Sequence, residues 1–126
     1  MHIQVLVIDD DSILTDSIHK ALDLVDFDVL YLNRWQVEAS QTLGIEPEVI
    51  VLHSGDESEC SRTRIASIRR ISQAPILVVS AKTQPGLAEK WLNDGADEWL
   101  LAPVSSRLLA ANILKLARRR RMGTPA

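Results

Sequence analysis

The sequence lacks the features that mark disulfide-stapled, secreted or membrane-spanning proteins. Its single cysteine, Cys60, cannot form an internal disulfide and has no His/Cys spacing typical of zinc, so we expect a reduced, incidental thiol. No apolar run reaches the roughly 18 residues that cross a bilayer. An acidic triplet, Asp9-Asp10-Asp11, lies where a secretory signal would be basic and then apolar. We therefore expect a cytoplasmic protein that does not enter a membrane.

Internal repeats, low-complexity tracts and a glycine-rich phosphate loop are also missing. The last absence disfavours a nucleotide-binding enzyme. The 126 residues allow one domain and not two, because compact domains hold on the order of 100 to 150 residues. With 46% hydrophobic and 25% charged residues, the chain has enough apolar surface for a core. We predict a domain over residues 1–121, followed by a tail or the start of a linker over 122–126.

Short apolar runs alternate with helical patterns along the whole chain. Five runs predict strands, and these are Ile3–Ile8, Phe27–Leu32, Val49–Leu52, Ile76–Val79 and Glu98–Leu101. Parallel strands joined through helices cross over in the right-handed sense, which favours a three-layer, doubly wound α/β domain. In such a domain the ligand or reactive centre lies beyond the carboxyl ends of the strands.

Apolar residues at helical spacing predict a helix in each connection. The predicted helices begin at a cap on Asp11 or Ser12, at a cap on Asn33 with Gly44 closing the helix, at Arg62 with an end near Ile71, at Pro85, and at a cap on Ser105 or Ser106. The spacing turns Leu92 of the fourth helix and Leu108 of the last helix toward the core.

Polar residues follow several of the predicted strands. Asp9 and Asp10 follow the first strand, His53 follows the third, and Ser80 follows the fourth. Two carboxylates about 4 Å apart repel by about 4 kcal/mol near a protein surface, so a cation normally compensates them. Mg²⁺ held by one or two carboxylates is the usual arrangement for phosphoryl transfer.

Four ordered motifs closely resemble the receiver domains of two-component response regulators. They are Val7-Ile8-Asp9-Asp10-Asp11, the segment 47–53, the segment 75–81 and the segment 95–103, so the resemblance covers nearly the whole chain. It implies a flavodoxin-like (βα)5 fold with a five-stranded parallel sheet in the order 2-1-3-4-5.

The resemblance also assigns roles to particular residues. Asp9 and Asp10 match the acidic pair, which implies weak Mg²⁺ binding at most; capping of the first helix is the alternative. Ser80 and Trp99 match the two switch positions, although both are also ordinary structural residues. Pro103 matches a proline that follows a cis peptide bond in the family. No other cofactor is expected.

Two departures from the family pattern change the expected function. His53 stands where the family has its phosphoacceptor aspartate, and Ala102 stands where it has the phosphate-contacting lysine. The chain therefore resembles a degenerate receiver, or pseudo-receiver, without enzymatic activity. His53 either supplies positive charge beside Asp9 and Asp10 or fills the volume of the missing aspartate as a neutral ring. The alternative is a phosphorylatable receiver in a phosphorelay that uses Asp56 or His53 as acceptor.

The family also suggests where partners bind. The face formed by the fourth helix, the fifth strand and the last helix implies a homodimer or a protein partner, with Trp91 and Trp99 contributing. The basic run Arg118–Arg121 suits the negative end of a helix dipole. It is also compatible with a linker into a DNA-binding output domain beyond residue 126. We do not expect direct nucleic-acid contact.

Overall fold

The structure is a computed structural model. It describes residues 3–9, 20–21, 27–33, 36–37, 44, 46–55, 61–81 and 84–121. The predicted first helix, nearly all of the second, Asp10, Asp56, Cys60 and the predicted tail 122–126 lie outside the described residues. Within the described ranges, every helix is too short or too polar to cross a lipid bilayer.

Five parallel strands form one sheet. They are β1 (Ile3–Ile8), β2 (Phe27–Leu32), β3 (Val49–Ser54), β4 (Ile76–Ser80) and β5 (Glu98–Leu101), in the order β2-β1-β3-β4-β5. This confirms the predicted flavodoxin-like order. Every residue of β3 and β4 is buried, which explains their continuous Val, Ile and Leu runs. The strand order reverses between β1 and β3, the place where such sheets put their functional residues.

Helices cover both faces of the sheet. The described helices are Ser61–Arg69, Leu87–Asn93 and the C-terminal helix Ser106–Arg121. The C-terminal helix and the helical residue Ala21 bury one face, while the other two helices bury the opposite face. Each face has its own apolar cluster, so the domain has the predicted three layers.

Two predicted caps are present. The N–H of Leu108 donates to the Ser105 hydroxyl oxygen at 3.1 Å, so Ser105 and not Ser106 caps the C-terminal helix. Asn33 and Gln36 form a reciprocal pair, in which each backbone N–H donates to the other's side-chain oxygen at 3.1 and 2.9 Å.

Several predicted boundaries are wrong. β3 does not stop before His53 but runs through Ser54, because both residues pair with β4. The ladder with β4 outweighs the polar character of the two side chains. The third predicted helix ends at Arg69 and not at Ile71, because the N–H groups of residues 71 and 72 both bond to the carbonyl of Ile68 in a tight turn.

The prediction for the fourth helix also needs correction. The helix begins at Leu87 and not at Pro85, because Gly86 takes a left-handed conformation with φ of 83°. Leu92 is not turned toward the core but is 44% exposed, and Leu108 of the C-terminal helix is 49% exposed. Successive helical residues are about 100° apart, so burial of a neighbouring Trp or Leu turns these two outward.

Candidate functional site

The candidate site lies at the carboxyl ends of the strands, where backbone hydrogen bonds continue past each strand and hold the connecting segments. The N–H of Asp9 donates to the carbonyl of Leu32 at 3.0 Å. The N–H of Ala81 donates to the carbonyl of Ser54 at 2.9 Å, and the N–H of Ala102 donates to the carbonyl of Ser80 at 2.8 Å. These bonds tie each strand end to its neighbour, so the side chains there stand on a rigid base.

Asp9 and His53 form the polar centre of this edge. The Nδ1 atom of His53 lies 3.3 Å from Oδ1 of Asp9, and the two side chains are only 2% and 3% exposed. β1 and β3 are adjacent strands, which brings the residue after β1 next to the penultimate residue of β3. Because an ionised carboxylate only accepts hydrogen bonds, the geometry suits a proton on Nδ1 of the ring.

The other ring nitrogen of His53 has a different environment. Its Nε2 atom is buried and has no hydrogen-bond partner among the described residues. With the proton on Nδ1, Nε2 of a neutral ring presents a bare lone pair. A charged ring would present a buried N–H without an acceptor, and an unpaired buried donor is costly.

Ser80 and Trp99, the two switch-like positions, lie on neighbouring strands. Ser80 is buried at the end of β4 opposite Leu101, and Trp99 of β5 stands opposite Val78. Trp99 is half-buried and packs against the same apolar cluster as Trp91. Its Nε1 atom is buried without a hydrogen-bond partner among the described residues, so the contacts of Trp99 shown here are apolar.

The segment after β5 contains Ala102 and Pro103. The peptide bond between them is cis. Ala102 is partly buried and packs against the apolar cluster on the side of the C-terminal helix, while Pro103 is exposed. A short apolar side chain therefore occupies the position that the sequence resemblance aligns with a lysine.

Two acids that the sequence analysis named, Asp10 and Asp56, lie outside the described residues, so the acidic pair and the alternative acceptor stay predictions. In the part of the chain that is described, no group of three or more His, Cys, Asp or Glu side chains could hold a metal ion. Weak Mg²⁺ binding by the acidic pair also remains a prediction.

The surface of the helix Leu87–Asn93, β5 and the C-terminal helix differs in composition from the prediction, and its role in binding a partner stays a prediction. Trp91 was expected on it, yet this side chain is 1% exposed and fills the core between the helix Leu87–Asn93 and the sheet. The exposed large apolar residues of the three elements are instead Leu92, Leu101 and Leu108. Leu101 ends the edge strand β5, and strand order was the signal that could have indicated its exposure.

Known proteins resemble the chain in sequence and in fold. No protein-family model matches it. It is 29% identical over 116 residues to a transcriptional regulatory protein CpxR homologue of Haemophilus influenzae, which covers 92% of this chain and 51% of that protein. It is 24% identical to the response regulator protein GraR of Staphylococcus aureus, over 92% of this chain and 52% of that protein. The chain thus spans about half the length of these two relatives.

Solved structures show the same fold. The crystal structure of a response regulator from Thermotoga maritima superposes with a TM-score of 0.78 at 23% identity, covering 94% of this chain and 99% of that one. The superposition covers nearly all of this chain, so the shared fold does not depend on any single motif.

Proposed function

We propose that this chain, a response-regulator receiver domain with the flavodoxin-like fold, acts in signal transduction as a pseudo-receiver. In this role it transmits a signal through protein contacts, and aspartyl phosphorylation at the end of β3 takes no part. We further propose that residues 1–121 form the functional domain and that, as in a regulator about twice as long, it controls an output domain.

The observation that carries the proposal is the buried contact between Asp9 and His53. The imidazole ring of His53 lies 3.3 Å from the Asp9 carboxylate and occupies the carboxyl end of β3, where it is only 2% exposed. An acyl phosphate requires a carboxylate nucleophile, and β3 itself, which ends in His53 and Ser54, contains none. We propose that the ring is neutral and fills the volume of the missing aspartate, since its buried Nε2 has no acceptor to bond among the described residues.

Ala102 supports the same conclusion from the other side of the site. Negative charge that develops on a transferring phosphoryl group needs a cation close by. The methyl group of Ala102 packs against an apolar cluster and supplies no charge. In this proposal the carboxylate and the cation that the family pattern requires are therefore both replaced: an imidazole cannot form an acyl phosphate, and a methyl group carries no charge.

A second candidate function is phosphotransfer to His53 or to Asp56. It is favoured by the unpartnered Nε2 of His53, because a bare imidazole nitrogen is a competent nucleophile. Burial of the ring and the absence of a cation at Ala102 argue against it.

Intact-mass spectrometry after incubation with Mg²⁺ and acetyl phosphate separates these functions. We expect no gain of a phosphoryl group on the wild-type chain. A gain that His53→Asn abolishes would identify a phosphohistidine, and a gain that Asp56→Asn abolishes would identify Asp56 as acceptor. Either result would contradict the pseudo-receiver proposal. The double variant His53→Asp/Ala102→Lys restores both missing groups and serves as the positive control for the donor.

We propose that partners bind the face that carries Leu92, Leu101 and Leu108, each on a different element. A second copy of the chain or another protein would cover these apolar side chains. Leu101→Glu should weaken self-association in sedimentation equilibrium if the partner is a second copy. Leu30→Glu is the matched control, because Leu30 is an exposed leucine on the opposite edge strand, β2. Equal effects of the two variants would contradict this choice of face.

A further inference from the structure

A small basic cleft lies at the amino ends of β4 and β5, whereas the Asp9–His53 contact lies at the carboxyl ends of the strands. Its volume is about 190 Å³. Pro75 and Asp97, which precede β4 and β5, line it, together with Arg69 at the end of its helix. Arg119 and Arg120 also line it, from the last turns of the C-terminal helix. The cleft thus joins the ends of two helices that cover opposite faces of the sheet.

Arg69 is held in place by the backbone. One guanidinium nitrogen, Nη1, donates to the carbonyl oxygens of Ala74 at 2.7 Å and Ser72 at 3.3 Å. The other, Nη2, lies 3.7 Å from Oδ2 of Asp97, which also accepts the N–H of Ile76 at 2.8 Å. The Asp97 carboxylate is therefore shared between a backbone donor and Arg69, and it neutralises only part of the charge in the cleft.

The remaining arginines of the cleft are less fully neutralised, although the Glu48 carboxylate also attracts Arg120. Arg119 and Arg120 have no salt-bridge partner among the described residues, whereas Lys115 pairs with Glu98, and Arg121 pairs with Glu48. Burial lowers the pKa of Arg69, Asp97 opposes that change, and Arg120 lowers the pKa further. The positive charges of Arg69 and Arg120 thus lie close enough to repel each other.

The helix dipole does not explain this arrangement. A helix C-terminus attracts cations, which accounts for arginines at the end of the C-terminal helix. It does not account for a third arginine that a separate element brings to the same cleft, fixed by backbone carbonyls. Guanidinium groups that converge from two elements are an arrangement that recognises tetrahedral oxyanions, because a free guanidinium presents a fork of donors to a pair of oxygens. Arg119 and Arg120 can do so here, whereas Arg69, whose Nη1 is bonded to backbone carbonyls, chiefly adds positive charge.

We propose that this cleft binds a phosphate group. The cleft has a volume of about 190 Å³ and three arginines among its lining residues, which suits a single phosphate group. The phosphate can come from a small phosphorylated solute or from a nucleic-acid backbone. This site is independent of the pseudo-receiver proposal, because it lies at the amino ends of the strands and uses none of the same residues.

Two probes test the site and distinguish the sources. The first is sodium phosphate, titrated against sodium chloride of equal ionic strength and followed by ¹⁵N NMR signals of arginine side chains and the Ala74 amide. The second is a fluorescein-labelled DNA duplex followed by fluorescence anisotropy at several salt concentrations. The cleft variant is Arg119→Gln/Arg120→Gln. The charge-matched control is Arg107→Gln/Arg118→Gln, which removes two exposed arginines of the same helix outside the cleft.

We expect the cleft variant to bind phosphate, or the duplex, at least about tenfold more weakly than wild type. The affinity of the control variant should stay within about twofold of wild type. Phosphate binding without duplex binding indicates a small solute. Duplex binding whose salt slope falls by about 2 in the cleft variant indicates a nucleic-acid backbone. The proposal is overturned if neither probe binds at low ionic strength, if chloride acts like phosphate, or if the control variant loses as much affinity as the cleft variant.

Discussion

Replacing His53 with aspartate would place a second carboxylate beside the buried carboxylate of Asp9. The two wild-type groups are 3.3 Å apart, and both side chains are nearly inaccessible to water. Two unit charges about 4 Å apart at an effective dielectric constant of about 20 repel by about 4 kcal/mol. Burial limits screening by solvent, so we expect the His53→Asp variant to lose most of this amount in free energy of unfolding at neutral pH.

Proton uptake sets an upper limit on the loss. Protonating a carboxyl group of ordinary pKa costs about 4 kcal/mol at about pH 7 and about 1.5 kcal/mol at about pH 5. The new carboxyl group has a raised pKa in the folded state, so the folded chain binds more protons than the unfolded chain and its stability falls as pH rises. The charge penalty should therefore be about 3 to 4 kcal/mol near pH 7 and about 1.5 kcal/mol near pH 5.

Urea unfolding of His53→Asp and His53→Asn at both pH values, followed by tryptophan fluorescence, measures this penalty. Both variants remove the imidazole ring, so the difference between them isolates the charge. Millimolar Mg²⁺ should restore stability to His53→Asp and leave His53→Asn unchanged, because Mg²⁺ prefers carboxylate ligands. Equal stabilities of the two variants at both pH values would refute the reasoning.

Three further predictions concern stability. The hydrogen bond from Arg121 lowers the pKa of Glu48 below its ordinary value of 4.5, so the pair's contribution is present above that value and is lost as pH falls through the folded-state pKa; a stability difference between wild type and Glu48→Gln that persists at low pH would contradict this. Gly95→Ala should cost about 1 to 3 kcal/mol in thermal unfolding, because φ there is 122° and a Cβ would lie 3.1 Å from a methyl carbon of the neighbouring helix. Trp91→Ala should cost about 3 to 5 kcal/mol in urea unfolding, whereas its exposed neighbour Leu92→Ala should cost about 0.5 kcal/mol or less; similar values would show that burial of Trp91 does not matter.

Strand prediction succeeded where the chemistry is local. The continuous Val, Ile and Leu runs of β1, β3 and β4 are typical of strands buried on both faces, and they are buried in the structure. The order of the strands came from the family resemblance and not from the runs. The end of β3 was missed because pairing of His53 and Ser54 with β4 depends on a partner more than twenty residues away.

The candidate residues at the strand ends were found from chain order together with the parallel topology. Chain order placed Asp9 and His53 at the carboxyl ends of two strands, and parallel topology then put those ends at one edge. Which ring nitrogen faces the carboxylate, and the lack of a partner for the other, could not be predicted. Such details depend on side-chain rotamers, and packing from several elements sets these together.

Local patterns were thus enough to identify the strands and two helix caps. Packing decided which aromatic side chain is buried, which leucines face solvent, and that Arg69 meets Arg119 and Arg120 across the edge of the sheet. The physical reason is distance along the chain. Hydrophobic periodicity and capping act over a few residues, whereas burial and charge clustering depend on residues that meet only after the sheet and its two helical layers have assembled.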